Sequence, residues 1–503
     1  MSLLASGLLA VLLASPSPEP IAWTDWSDGV FERARKEDRF VLLDLGAVWC
    51  HWCHVMEETT YKDPKVVELV RARYLAVRVD QDARPDLSNR YEDYGWPATV
   101  IFDKSGAELA KFQGYVPPAR MASLLQGIID DPTPGPSVME GREPDVTPAP
   151  EPRLSDAQRG ELVELLAHRY DTEQGGWGFS HKFLDWDAVE ICILRAREGD
   201  TRAEAMARET LAKQTKLIDS VWGGVNQYSD SGDWEHPHFE KIMQFQAENL
   251  RIYSLAYTQW RDPSYLKAAR DVHRYLTTFL MGPEGAFYTS QDADVVQGEH
   301  SGEYYDLPDA ERRKRGIPRV DTHQYTRENG WAIHGLVALH AATGDAEPLR
   351  QALAAARFIV ANRALPGGGF RHDEKDSAGP YLGDTLAAGR AFLSLYQVTK
   401  DAEWLRRAEE AAAFIQSRFE APGGAGFSTA AGAGHRWQRE ENVMVARLGA
   451  GLFETTANTA HKALAERAMR YLASAQIAPR PQTGGVLLAD RALAELRPAT
   501  ARR

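Results

Sequence analysis

Six times beyond residue 154 the chain passes through glycine followed closely by an aromatic or large apolar side chain. These segments are Gly175-Gly-Trp-Gly-Phe179, Gly223-Gly-Val-Asn-Gln-Tyr228, Gly285-Ala-Phe-Tyr288, Gly367-Gly-Gly-Phe370, Gly423-Gly-Ala-Gly-Phe427 and Gly484-Gly-Val-Leu-Leu488. A turn repeated at intervals constrains the fold strongly, because each repeat buries its apolar face against the next one. The intervening segments have helical periodicity. Tyr265, Ala268, Ala269, Val272, Tyr275, Leu276 and Phe279 share one face, and so do Trp404, Leu405, Ala408, Ala411, Ala412, Ile415 and Phe419. Two helices per step give about twelve over about 350 residues. Six helix pairs are the number that closes a ring, so residues 154–503 are expected to form an all-α (α/α)6 toroid. An open α-solenoid is the alternative.

The N-terminal part is of another kind. Asp44-Leu-Gly-Ala-Val-Trp49-Cys50-His51-Trp52-Cys53-His54 holds two of the chain's three cysteines. Phe40 to Leu45 has strand character and His54 to Tyr61 helical character, which places Cys50 at a helix start. Free N–H groups and the helix dipole favour thiolate there. Asp44, on the strand, is placed to take a proton from the second thiol. Tyr74 to Asp80 reads as another strand, and Gly95-Trp96-Pro97 as a tight turn entering a third, a setting that suits a cis proline. Three other readings fit the Cys pair: c-type haem attachment, a zinc site completed by His51 and His54, and an inert structural disulfide. Redox chemistry suits the strand–helix setting best. Cys50 is then expected to be solvent-accessible and acidic, with Cys53 more shielded. Protonated His51 and His54 would add to thiolate stability and shift the pair toward an oxidising potential.

At 503 residues, 44% hydrophobic and 26% charged, the chain has room for two or three domains. Its net charge of −13 argues against general nucleic-acid binding. Ser2 to Ala14 is almost wholly small or apolar and runs into Ser15-Pro-Ser-Pro-Glu-Pro20. Residues 1–22 therefore read as a signal peptide or short anchor, giving a periplasmic or secreted protein; the alternative is cytoplasmic. No later run is long and apolar enough to span a bilayer. Residues 131–153 are a proline-rich linker, which leaves 23–130 as the redox domain. Cys192, in an apolar helical run, is a core residue.

Residues 23–130 resemble the thioredoxin family, with Asp44, Trp49, the Cys pair, the Val79-Asp80-Gln81 strand end and the Gly-Trp-Pro turn in order. The resemblance implies that Cys50 is the attacking thiol, Cys53 the resolving thiol, Asp44 the proton acceptor and Pro97 the cis-proline facing the disulfide. The whole chain is similar to the family related to spermatogenesis-associated protein 20. That likeness is carried by Trp49-Cys-His-Trp-Cys-His-Val-Met-Glu57, Gly175-Gly-Trp-Gly-Phe-Ser-His-Lys-Phe183, Pro237-His-Phe-Glu-Lys-Ile-Met243 and Ser290-Gln-Asp-Ala-Asp294. It implies a multidomain protein, an α/β thioredoxin-like domain followed by a toroid similar to N-acylglucosamine 2-epimerases and six-hairpin glycosidases. Glu328-Asn329-Gly330 departs from the family's Trp-Asn-Gly.

Polar residues gather near the glycine turns: His236, His238 and Glu240, then Asp292 and Asp294. Paired carboxylates and histidines could serve as acid and base on a sugar. His238, Glu240, Asp292 and Asp294 are therefore expected to line a toroid pocket of their own, with an aromatic platform, larger than any groove on the redox domain. The alternative is that they tie loops together. The leading reading is a thiol–disulfide oxidoreductase whose toroid binds or positions a substrate. A carbohydrate-active toroid with an accessory redox domain, and a non-catalytic carbohydrate- or protein-binding scaffold, are the alternatives. A protein thiol or disulfide partner and a carbohydrate ligand are expected, with no cofactor and no metal.

Overall fold

The computed structural model describes residues 19–91, 95–140, 146–375, 378–431 and 437–496. The apolar N-terminal stretch read as a signal peptide or anchor lies outside them through residue 18. No helix among the described residues is long and apolar enough to cross a membrane.

The first domain is built on four strands, β1 (Phe40–Gly46), β2 (Tyr74–Asp80), β3 (Ala98–Phe102) and β4 (Glu108–Gln113), in the order β2-β1-β3-β4. β1 pairs parallel with β2, Asp44 opposite Arg78, and antiparallel with β3. Helices α1 (Val30–Glu37), α2 (His51–Glu58), α3 (Pro64–Arg73), α4 (Pro85–Tyr91) and α5 (Pro118–Asp130) cover both faces. The alternation along β1 shows why. Val41, Leu43 and Leu45 join the core on the α1 side, whereas Leu42 joins Met56, Val66, Val70, Met121 and Leu125 on the α2–α3–α5 side. Asp44 shares the Leu42 face, so the strand period alone puts it beneath the helix that carries the cysteines.

The linker is anchored at both ends. It carries a short helix, α6 (Pro136–Glu140), within the proline-rich run. The Gly135 N–H reaches the Leu109 carbonyl, and Ala149 pairs with Arg470 of the second domain.

That second domain is the expected toroid. Outer helices α7 (Asp156–His168), α9 (Thr201–Gln214), α11 (Pro263–Tyr275), α15 (Ala346–Asn362), α17 (Ala402–Phe419) and α19 (Thr459–Leu472) alternate with inner helices α8 (Trp186–Arg197), α10 (Met243–Trp260), α14 (Thr326–Thr343), α16 (Leu382–Thr399), α18 (Arg439–Thr456) and α20 (Gly484–Ala494). Each inner helix touches the next, and α20 closes on α8. One long connection carries α12 (Gly302–Tyr305), α13 (Asp309–Arg315) and the ribbon strand β8 (Ser290–Gln291), flanked by β7 (Lys241–Ile242) and β9 (Val320–Asp321); a second small ribbon pairs β5 (Tyr228–Ser229) with β6 (Pro237–His238).

Inner helices hold the glycine turns with side-chain amides. Asn329 bonds both the N–H and the carbonyl of Phe287, Asn442 does the same for Phe427, and Gln246 for Val225. The turns also need their glycines. Gly224 has φ +77°, and a Cβ there would sit 2.4 Å from the Tyr275 ring. The sixth signature departs from the pattern. Gly484 and Gly485 open α20 itself, because a Cβ on Gly484 would meet the Ala188 nitrogen at 2.6 Å. These glycines let the last inner helix close against the first.

Candidate functional site at the domain interface

Cys50 and Cys53 form a disulfide at the start of α2, and the Cys50 Sγ also accepts the Cys53 N–H at 3.1 Å. The helix therefore begins on the sulfur, the arrangement that favours a thiolate once the pair is reduced. Gly46 lies under Cys53, whose Sγ would be 3.4 Å from a Cβ there. Asp44, two residues back on the same strand face, is buried. It accepts hydrogen bonds from the Tyr61 hydroxyl and the Arg78 Nε, each at 3.1 Å. Burial raises its pKa although Arg78 opposes the shift, so the carboxylate is poised to accept a proton. The Trp96–Pro97 bond is cis.

The toroid covers this site. Ile242, at the foot of α10, packs with Trp96 on the small cluster of Ala47, Trp49 and Cys50. Cys50 is consequently 3% exposed and Cys53 only partly buried, the reverse of the order expected. In a free thioredoxin-like domain the first cysteine would face solvent; here the second domain occupies that space.

The toroid residues singled out in the sequence explain the docking. His51 Nδ1 lies 2.7 Å from one Asp294 oxygen, and His54 Nδ1 lies 3.3 Å from the other and 3.6 Å from Asp292. Burial opposes charge on both imidazoles, yet the hydrogen bond to Asp294 and the nearby carboxylates win and raise both pKa values. Burial likewise opposes ionisation of Asp294, and the two histidines overcome it, holding the group at about 2. Asp292 and Glu240 go the other way, pushed chiefly by burial to about 6 and about 7. One side of the cluster is thus an ion pair and the other a pair of carboxyls that protonate readily. The ligand atoms of His54, Asp292 and Asp294 lie within 4.8 Å of one another, the one such group among the described residues that could hold a metal ion.

The pocket expected for the toroid alone takes a different form. Asp292, Asp294 and Glu240 are buried against α2, and His238 stacks on Tyr228 and faces Asp230. None of the four lines the cavity between the domains. That cavity, about 250 Å³, is walled by Trp49, Asp82 and Trp96 of the first and by Phe245, Arg327, Glu328, Trp331, Arg390, Glu440 and Glu441 of the second. The polar loops were spent on joining the domains, and the ring axis was left as the concave surface. Trp177, Trp222 and Trp234 are core residues, whereas Trp331 reaches the cavity. Cys192 is buried with its thiol pushed up to about 12, consistent with a packing role.

Sequence reasoning missed Arg78, Ile242, His372 and Arg390. Arg78 carried a signal, a charge set between Val77 and Val79 in a strand otherwise apolar up to its last residue, Asp80. His372, 1% exposed, faces the Asp384 carboxylate at 2.9 Å and the Asp82 carbonyl of the other domain at 2.7 Å. Neither oxygen can donate, so both ring nitrogens must, and the ring is an imidazolium. Its pKa agrees: burial opposes the charge, Asp384 more than offsets it, and the result is about 9.

The fold and the site define the class: a thioredoxin-like domain with a Cys-x-x-Cys disulfide, docked on an (α/α)6 toroid. Residues 9–128 match the thioredoxin family model of the DsbH type, described as "Protein of unknown function, DUF255". Within that class the chain is homologous to spermatogenesis-associated protein 20. The mouse protein is 28% identical over 310 residues, 55% of this chain and 39% of the relative, and the human protein 28% over 325 residues, 57% and 41%. The matched region spans about two fifths of the length of these curated relatives. The thiol:disulfide interchange protein DsbD of Pseudomonas fluorescens is 35% identical over 83 residues, 16% of this chain and 14% of DsbD. Among solved structures, cellobiose 2-epimerase from Bacillus thermoamylovorans superposes with a TM-score of 0.52 at 10% identity, covering 67% of this chain and 99% of its own. At that identity the likeness concerns the toroid fold alone.

Proposed function

We propose that this protein is a thiol–disulfide oxidoreductase acting on small disulfides admitted to the cavity between its domains. The observation that carries the proposal is the Cys50–Cys53 disulfide at a helix N-terminus, above a buried Asp44 and under a toroid that leaves Cys50 3% exposed. Trp49, Trp96 and Ile242 pack with Cys50, and all three are cavity wall. A small movement of these side chains would open the sulfur to a ligand inside, whereas a folded protein would have to part the domains.

In the reduced enzyme the Cys50 thiolate attacks one sulfur of a substrate disulfide. The S–S bond breaks, a mixed disulfide forms on Cys50, and the first substrate thiolate leaves and takes up a proton. Asp44 accepts the Cys53 proton. The Cys53 sulfur then attacks Cys50, re-forming the Cys50–Cys53 disulfide and releasing the second substrate thiol. Two electrons pass from the pair to the substrate, and a thiol reductant restores the pair; the same steps reversed oxidise a dithiol.

The test is exchange of the reduced full-length protein with hydroxyethyl disulfide, followed by mass. Wild type should return to the intramolecular disulfide, Cys53→Ser should stop at the mixed disulfide, and Cys50→Ser should not react. Wild type that fails to exchange refutes the proposal. A second reading, a carbohydrate-active toroid, is favoured by Trp331, Glu328, Glu440 and Glu441 in the cavity wall. It requires turnover of a sugar by Cys50→Ser protein, which the redox reading does not.

A further inference from the structure

The toroid axis holds a charge cluster unrelated to the cysteines. Five of the six inner helices contribute to it: Glu190 from α8, Glu248 and Arg251 from α10, His334 from α14, Arg390 from α16 and Arg447 from α18. Glu190 accepts from Arg251 at 2.8 Å and from both terminal nitrogens of Arg447, and Glu248 accepts from the Arg251 Nε at 2.7 Å. These two carboxylates satisfy both guanidiniums in part. The Arg251 Nη2, on a residue 4% exposed, has no hydrogen-bond partner among the described residues. The Arg390 guanidinium has no hydrogen-bond partner among the described residues, and it lines the interdomain cavity.

Unsatisfied donors are costly in a protein interior, and a surplus cation among like charges more so. His334 reports the field: burial first, then Arg390, Arg251 and Arg447, hold its imidazole neutral well below the usual histidine range. For Arg390, burial and then Arg447 lower the pKa to about 10. A fold that needed charges here only for ring packing would pair each of them. This one leaves a planar donor fork on a residue of the cavity wall.

We propose that Arg390, backed by Arg251 and Arg447, is an oxyanion-binding subsite at the ring axis. It takes the carboxylate or phosphate group of a small polar molecule whose body lies against Trp331 and reaches toward Trp49. Guanidinium presents parallel N–H groups that match either oxyanion. The subsite does not depend on the cysteines being active, so the two proposals fail separately.

Full-length oxidised protein is titrated calorimetrically with glucose 6-phosphate, glucuronate and glucose, without turnover. At least one of the two anions should bind more tightly than glucose, and which one identifies the oxyanion. Arg390→Gln should weaken that binding about tenfold or more, Arg390→Lys by less, and Arg406→Gln on an outer helix not at all. Arg390→Gln should also raise the thermal midpoint, since it removes a half-buried cation that no carboxylate among the described residues pairs; a structural arginine would lower it. Should Arg390→Gln fail to fold, Arg390→Lys carries the binding test. Equal binding of glucose and the anions, binding of neither anion, or a folded Arg390 variant with unchanged affinity would overturn the proposal.

Discussion

Asp44 is held between the Tyr61 hydroxyl and Arg78, and Arg78 is itself shared with Glu57 at 2.7 Å. The carboxylate is thus anchored yet raised in pKa by burial, which suits a group that takes a proton from Cys53 and later returns it. Asp44→Asn keeps the shape and removes the base; exchange at neutral pH should slow about 10–100-fold, with the fold intact by circular dichroism. An unchanged rate would make Asp44 purely structural. Its position was legible from strand alternation, whereas the role of His51 was legible only in part. Burial opposes a charge on its ring, and Asp294 at 2.7 Å more than offsets that and raises the pKa, but the same carboxylate neutralises the charge gained. Its contribution to the Cys50 thiolate is correspondingly smaller. No spacing rule links residues so far apart in sequence, which is why the sequence showed both groups and not their pairing.

At the scale of elements, the glycine turns and the inner helices depend on each other. Asn442→Ala would strand a buried N–H and a buried carbonyl of Phe427, at a cost of about 2–4 kcal/mol read by chemical denaturation. The same logic accounts for Glu328-Asn329-Gly330. Asn329 clamps the Phe287 turn, and Gly330 lets α14 approach α16, where a Cβ would lie 2.6 Å from the Ala387 backbone. These roles concern the toroid's construction, and they persist although the residue before Asn329 is not tryptophan. The loop bearing His372 joins the two domains. Its folded pKa, about 9, lies above the unfolded value of about 6.5, so its stabilisation is complete below the unfolded value and is lost as pH rises through about 9. The difference corresponds to about 3 kcal/mol. Thermal midpoints should therefore fall between about pH 7 and 10 in wild type, and His372→Gln should flatten that fall. An equally steep decline in the variant would assign the effect elsewhere.

For the whole molecule, the toroid and the thioredoxin-like domain were each legible from periodicity and motif order; their relation was not. Ile242, Asp292 and Asp294 act across the boundary, and a surface that docks another domain resembles in sequence any other polar rim. The redox helix is clamped from outside by Asp294, and a further contact between the domains runs from His372 to the carbonyl of Asp82, a residue of the cavity wall. Under the proposed function, docking of this kind makes the toroid a selector for small ligands that fit a cavity of about 250 Å³. The central claim is that Cys50 works from inside this enclosure. It is tested most directly by comparing reduction of hydroxyethyl disulfide and of insulin by the reduced protein, in wild type and in Asp294→Ala/His372→Ala. Wild type should act on the small disulfide and poorly on insulin, and undocking should raise insulin reduction several-fold without accelerating the small substrate. Efficient insulin reduction by wild type, unchanged by undocking, would contradict the account.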